Sequence, residues 1–261
     1  MLHMPNPMLM GGSDSYDADS LAYFSAMSVQ PDSTRKGLID ALIRGLKADG
    51  VWAKLDCLWL IAAHDAQAGR VNAKAPSTYA LTAVNGPTFV TDRGYSCDGT
   101  NDHLLSEYDY ASGGAFQQNN AHVAAYLNAS SGAASSNTAS LGSSSVGANT
   151  ALRPVVSGNV MPVQLNSSTT FQGPTATSAV GFRLQSRTSS AEILAQADAS
   201  QTVVTRSSSA PVSAALALMR LGSNYQQGRI AFASVGGGLT ASEAVSLRTH
   251  LLAYLTVIGA A

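Results

Sequence analysis

Two acid and imidazole pairs, His64-Asp65 and Asp102-His103, are the residues of this chain whose types suggest bond-making chemistry. A carboxylate that orients an imidazole lets the ring take a proton from a hydroxyl nucleophile. Adjacency works against that contact, because neighbours in a strand point to opposite faces. Serine is plentiful, yet no Gly-x-Ser-x-Gly elbow presents one. Glycoside cleavage needs two carboxylic acids across a cleft. The glutamates are Glu107, Glu192 and Glu243; Glu243 reads as a helix cap and Glu192 falls in a strand pattern. The expectation is a non-enzymatic protein with no catalytic and no cofactor-binding residues.

Asp98, Asn101 and Asp102 offer oxygens of the kind calcium takes, but the ion wants six to eight hard ligands and no EF-hand spacing is present. Asp98-Gly99 reads first as a two-residue hairpin turn, and no metal site is expected. Cys57 and Cys97 are too few for a disulfide framework and read as reduced, packed thiols. His-Glu-x-x-His, Cys-x-x-Cys, Walker and Gly-x-Gly-x-x-Gly patterns are absent, and Gly236-Gly237-Gly238 reads as a strand end that frees the chain to turn. Asn128-Ala129-Ser130 and Asn166-Ser167-Ser168 fit the glycosylation sequon at the rate chance gives in so Asn- and Ser-rich a chain. Tyr108, Tyr110, Phe116 and Tyr225 lie in loop-like sequence, where a ring could stack on a sugar or be half-buried at a loop base.

These residues must be positioned by short strands. From Tyr79 onward, β-prone segments alternate with Gly, Asn, Ser and Pro clusters: 79–84, 88–90, 103–106, 122–127, 151–156, 160–165, 180–187, 191–196, 202–205, 214–220 and 229–235. Regular short strands with turn signals point to an all-β sandwich. Leu55–Ala62 reads as a first buried strand, and residues 128–149, nearly all small, suit a loop or a weak hairpin. Helices are expected at 17–28, after Pro31-Asp32-Ser33 with a stripe of Leu38, Ile39, Leu42, Ile43 and Leu46, and after Thr240-Ala241-Ser242-Glu243, a capping box. Residues 1–16 read as an extended arm, so 1–52 is expected to be an arm and helical docking segment and 53–261 a sandwich with a C-terminal helix.

Two segments together resemble a known family. Asn85-Gly86-Pro87-Thr88-Phe89, Arg93-Gly94-Tyr95 and Asp98-Gly99-Thr100-Asn101-Asp102-His103-Leu104 look like the opening hairpin of laminin-G-like, concanavalin A-like jelly rolls. Ile230–Val235 followed by Leu239-Thr240-Ala241-Ser242-Glu243 is similar to that family's last strand and short helix. Residues 39–65 and the ending Leu252–Ala260 resemble phage and prophage virion proteins that carry such a domain. The resemblance implies a mainly β, antiparallel jelly-roll sandwich in a bacteriophage particle: a tail- or capsid-associated structural protein, a glycan-binding module of a tail fibre, or a capsid decoration protein.

Composition narrows the partners. Charged residues are 12% of 261, and the net charge is −1, so no long-range field gathers phosphates or anionic lipid. Nucleic acid is not expected, nor membrane insertion, since no apolar run of about 20 residues exists. Met1-Leu2-His3-Met4-Pro5 has no basic, apolar leader pattern, so assembly in a bacterial cytoplasm into a virion is the expectation. Expected partners are copies of the chain, other virion proteins and a bacterial surface glycan.

Overall fold

The computed structural model describes residues 16–112, 114–130, 138–145, 149–156 and 158–261; nearly all of the arm expected at 1–16 lies outside them. Two helices come first, α1 (Ala18–Ser25) and α2 (Ser33–Ala48). Strands β1 (Leu55–Trp59), β2 (Thr82–Val84), β3 (Thr88–Val90), β4 (Gly94–Asp98), β5 (His103–Asp109) and β6 (Ala121–Ala129) follow. After them come β7 (Leu141–Ser143), β8 (Ala151–Leu152), β9 (Val160–Gln164), β10 (Phe171–Thr175), β11 (Gly181–Arg187) and β12 (Glu192–Ala197). The chain ends with β13 (Ser200–Thr205), β14 (Ala215–Leu218), β15 (Arg220–Leu221), β16 (Asn224–Tyr225), β17 (Gln227–Gly236) and α3 (Ala241–Val257).

Two antiparallel sheets form the body, as expected of a β-sandwich. One is eight-stranded, ordered β13-β12-β11-β6-β17-β4-β3 with β1 also on β17; the other is seven-stranded, ordered β10-β9-β8-β7-β14-β5-β2. Alternation along β6 explains the layering. Ala121, Val123, Ala125 and Leu127 join the core between the sheets, whereas Ala124 and Tyr126 join a second core with the helices. Strands β6, β11 and β17 are therefore buried on both faces, with α1, α2 and α3 (Ala241–Val257) on the outer face of the eight-stranded sheet. The runs Val123–Leu127 of β6 and Ile230–Ala233 of β17 have no polar alternation for that reason, whereas β11 alternates Phe182 and Leu184 with the buried polar side chains of Arg183, Gln185 and Arg187.

Local chemistry fixes the helix ends. Asp32 accepts from the Arg35 N–H at 2.7 Å to open α2, and Thr240 with Glu243 completes the capping box of α3. The stripe of α2 is covered by the chain itself. Ile39, Leu42, Ile43 and Leu46 are buried with Trp52, Leu251, Tyr254 and Leu255. At about 1.5–3 kcal/mol per large apolar side chain, this second core contributes as much as many small domains possess.

Two expectations need correction. Asp98-Gly99 does not close a hairpin: β4 and β5 lie in different sheets, so 99–102 carries the chain across the sandwich, and the hairpin is β3 to β4 around Asp92 (φ +61°). Gly236, Gly237 and Gly238 do end β17 and lead to α3 as expected, though none of them is in the left-handed region. They are needed for space, because a Cβ on Gly236 would strike the Lys54 carbonyl and one on Gly238 the Arg187 carbonyl. Finally, the 128–149 stretch holds strand β7, which pairs with β14 and β8.

Candidate functional site

The acid and imidazole pairs are separated by the fold. His64 donates through Nε2 to the Val29 carbonyl at 2.9 Å, while Asp65 accepts from the Gln67 and Ala68 N–H groups. His103 donates from Nδ1 to the Asn101 carbonyl, so its Nε2 accepts from Arg220 at 3.0 Å; burial, then the Arg220 charge, lowers its pKa. Asp98 accepts from the Thr100 N–H. Among the described residues no group of three His, Cys, Asp or Glu side chains converges as metal ligands would. Glu107 and Glu192 are exposed on strands of different sheets, and Glu243 caps α3 and pairs with Lys54 at 2.6 Å.

One imidazole and hydroxyl pair does form, from residues distant in sequence. His122 on β6 donates from Nδ1 to the Gly237 carbonyl at 2.6 Å, which fixes the tautomer, and its Nε2 accepts from the Ser234 hydroxyl at 3.3 Å. Both side chains are fully buried. Desolvation holds the ring neutral, with its pKa down at about 4. A proton acceptor so weak and so enclosed ties strands together; no substrate reaches it.

The aromatic expectation also changes. Tyr108, Tyr110 and Phe116 are buried, 2%, 2% and 1% exposed, and they pack in series with ring centroids 6.1 and 5.3 Å apart. Their hydroxyls are spoken for: Tyr108 donates to Asp56 and Tyr110 to the Gly142 carbonyl. Tyr225 alone of the four is partly exposed, beneath Arg220. Asn166 is buried, its amide donating to the Gln117 and Gln118 carbonyls, so a glycan has no access to it. Cys57 and Cys97 are free and buried; desolvation raises both, Cys97 to about 12, so they stay thiols.

Asp56 is the main polar clamp of this region. It accepts from the Ala115 N–H at 2.8 Å, the Phe116 N–H at 2.9 Å and the Tyr108 hydroxyl at 2.9 Å. Asp56→Ala strands three donors and is expected to cost about 2 kcal/mol. A chemical denaturation series will show it as a lowered midpoint at unchanged slope; an unchanged midpoint refutes the clamp.

The open polar site lies elsewhere, beside β8 and β9 of the seven-stranded sheet. A cavity of about 260 Å³ is lined by Ser145, Arg153, Gln164, Ser168, Thr169, Thr170 and the 221–224 turn between β15 and β16. Arg153, 7% exposed, donates to the Gln164 side-chain oxygen at 2.9 Å. Gln164 is held in turn, its backbone N–H donating to Gln185, whose amide donates to the Ala151 and Pro162 carbonyls. The base is thus rigid and the rim carries hydroxyls. Sequence reasoning passed over these residues, since each lies alone among small or apolar neighbours; the signal was an arginine and a glutamine inside strand-like, otherwise uncharged sequence.

No family model matches the chain, and no curated protein matches it significantly. Solved structures similar to it include domain 4 of AbnA, a GH43 extracellular arabinanase from Geobacillus stearothermophilus in complex with arabinotriose. That match has TM-score 0.45 and 15% identity, covering 75% of this chain and 98% of that one. Trypanosoma rangeli sialidase is similar at TM-score 0.43 and 14% identity over 87% of this chain, which spans 40% of the sialidase.

Proposed function

We propose that the chain is a non-enzymatic structural component of a bacteriophage virion, present in several copies and displayed on the particle, where it contacts a bacterial surface glycan. The observation that carries the recognition half is the cavity at Arg153. Among the described residues its lining offers hydroxyls, amides and one guanidinium, and no carboxylate that would serve as acid or base. Such a set orients a polyhydroxylated ligand and lacks the paired acids of glycoside hydrolysis. The virion half is supported by the resemblance of residues 39–65 and 252–260 to phage particle proteins. A surface with few charges also suits close packing of copies, because like-charge repulsion is small.

Immunogold labelling of purified particles, with a glycan array probed by the full chain, tests both halves. Label on a tail or fibre together with array signal is the expected result. Label at the copy number of the capsid lattice with a silent array would instead favour a decoration protein. Depolymerisation of host polysaccharide by the chain would overturn the non-enzymatic reading.

A further inference from the structure

Charge is unevenly distributed along this chain. Residues 110–242 contain six arginines, no lysine and two acids, Glu192 and Asp198, a net +4 against −5 for the remainder. One of those arginines, Arg153, lines the cavity described above, and two others, Arg206 and Arg220, hydrogen-bond to segments of its lining. Arg153 lies at its base against Gln164. Arg206 braces one wall, donating to the Ser167 hydroxyl at 3.2 Å and to the Thr169 hydroxyl. Arg220 supports the 221–224 turn, donating to the Gly222 carbonyl at 2.7 Å and to the Ser144 carbonyl at 3.2 Å. Among the described residues no Asp or Glu lines the space.

We propose that this cavity takes the carboxylate of an acidic sugar residue, a hexuronate of a bacterial surface polysaccharide, with Arg153 receiving the carboxylate and the hydroxyls of Thr169, Thr170, Ser223 and Asn224's amide receiving the ring hydroxyls. The assignment rests on the glycan-binding half of the function proposed above. Guanidinium is the side-chain group whose planar donors match a carboxylate, and such charge-assisted bonds are about twice as strong as neutral ones. Arg153 keeps its bond to Gln164 in the complex, which holds the guanidinium plane in place before the ligand arrives. At about 260 Å³ the space is below the roughly 300–1,000 Å³ of drug-sized sites, which restricts it to a single sugar ring, with the rest of the polymer outside.

Titration of the full chain with methyl galacturonide, methyl galactoside and sodium sulfate, followed by NMR chemical shifts, tests the assignment. Expected is saturable binding of the galacturonide, with the galactoside and sulfate each at least about tenfold weaker. Arg153→Gln should weaken the galacturonide by about tenfold or more, and Asn224→Ala, on the exposed rim, should weaken it several-fold with the melting temperature unchanged. If Arg153→Gln fails to fold, the Asn224→Ala result decides. Equal affinity for acid and neutral sugar, equal affinity for sulfate, or full binding by both variants overturns the acid-sugar assignment. Array signal on neutral glycans under any of those outcomes would leave the glycan reading standing, while silence towards every sugar removes both.

Discussion

Leu42→Asp with Leu46→Asp is expected to abolish cooperative folding of the whole chain. Leu42 is 3% exposed and Leu46 fully buried, both in the core that α2 shares with α3 and the outer face of the eight-stranded sheet. Each substitution removes a large apolar side chain and places a carboxylate among Trp52, Leu251 and Leu255, the combination that gives the most severe single-site losses, above about 4 kcal/mol each. Two such losses approach or exceed the roughly 5–15 kcal/mol of total stability typical of a domain. Circular dichroism and a thermal scan would show a chain without a melting transition. Leu21→Asp is the control: that side chain is 48% exposed, and melting should stay within about 0.5 kcal/mol. Unchanged melting of the double variant, with loss of assembly into particles, would mean that the stripe serves another protein and not the chain's own core.

The sequence was most legible where one element carries its own signal. The stripe of α2 and the capping box at Thr240 state a helix, its start and its buried side within a few residues; β12 follows its expected strand closely because its apolar content is high, and β11 because Phe182 and Leu184 alternate with polar residues. Strand β10 escaped notice because Gln172-Gly173-Pro174 reads as a turn, yet an edge strand tolerates proline and Gly173 gives Val163 room. Asp98-Gly99 misled for a related reason. The dipeptide specifies a bend and is silent on whether the next strand returns to the same sheet. The aromatics at 108–116 looked like loop residues because their flanks are polar, whereas Asp56, some sixty residues earlier, folds that segment inward by accepting its donors. The cavity at Arg153 was the least legible part. Its lining comes from separate loops and strand ends, and nothing local marks residues whose proximity depends on the β9 to β10 and β15 to β16 connections meeting.

Acid should loosen the fold before the carboxylates respond, and His122 is the reason. Its ordinary pKa of 6.5 falls to about 4 in the folded chain, principally through desolvation; the carbonyl of Gly237 and the charges of Asp56 and Glu243 oppose that shift, and Lys54 adds to it. Between these two values the unfolded ring binds a proton and the folded ring does not. Stability is then full above about 6.5, declines as pH falls towards 4, and the accumulated loss is about 3 kcal/mol at 1.36 kcal/mol per pKa unit. His103, also lowered, acts with the same sign. Carboxylates act later: the Lys47 hydrogen bond lowers Asp17, so its contribution persists above the ordinary carboxylate range and is lost only as pH drops through it. Urea midpoints at pH 7, 5.5 and 4.5 should fall steadily in the natural chain. His122→Asn keeps a neutral donor towards the Gly237 carbonyl and cannot take up a proton, so it should start less stable at pH 7 and then change much less with acid. Parallel pH profiles for the two proteins would show that the enclosed pair of His122 and Ser234 does not govern acid stability, and that the loss arises elsewhere.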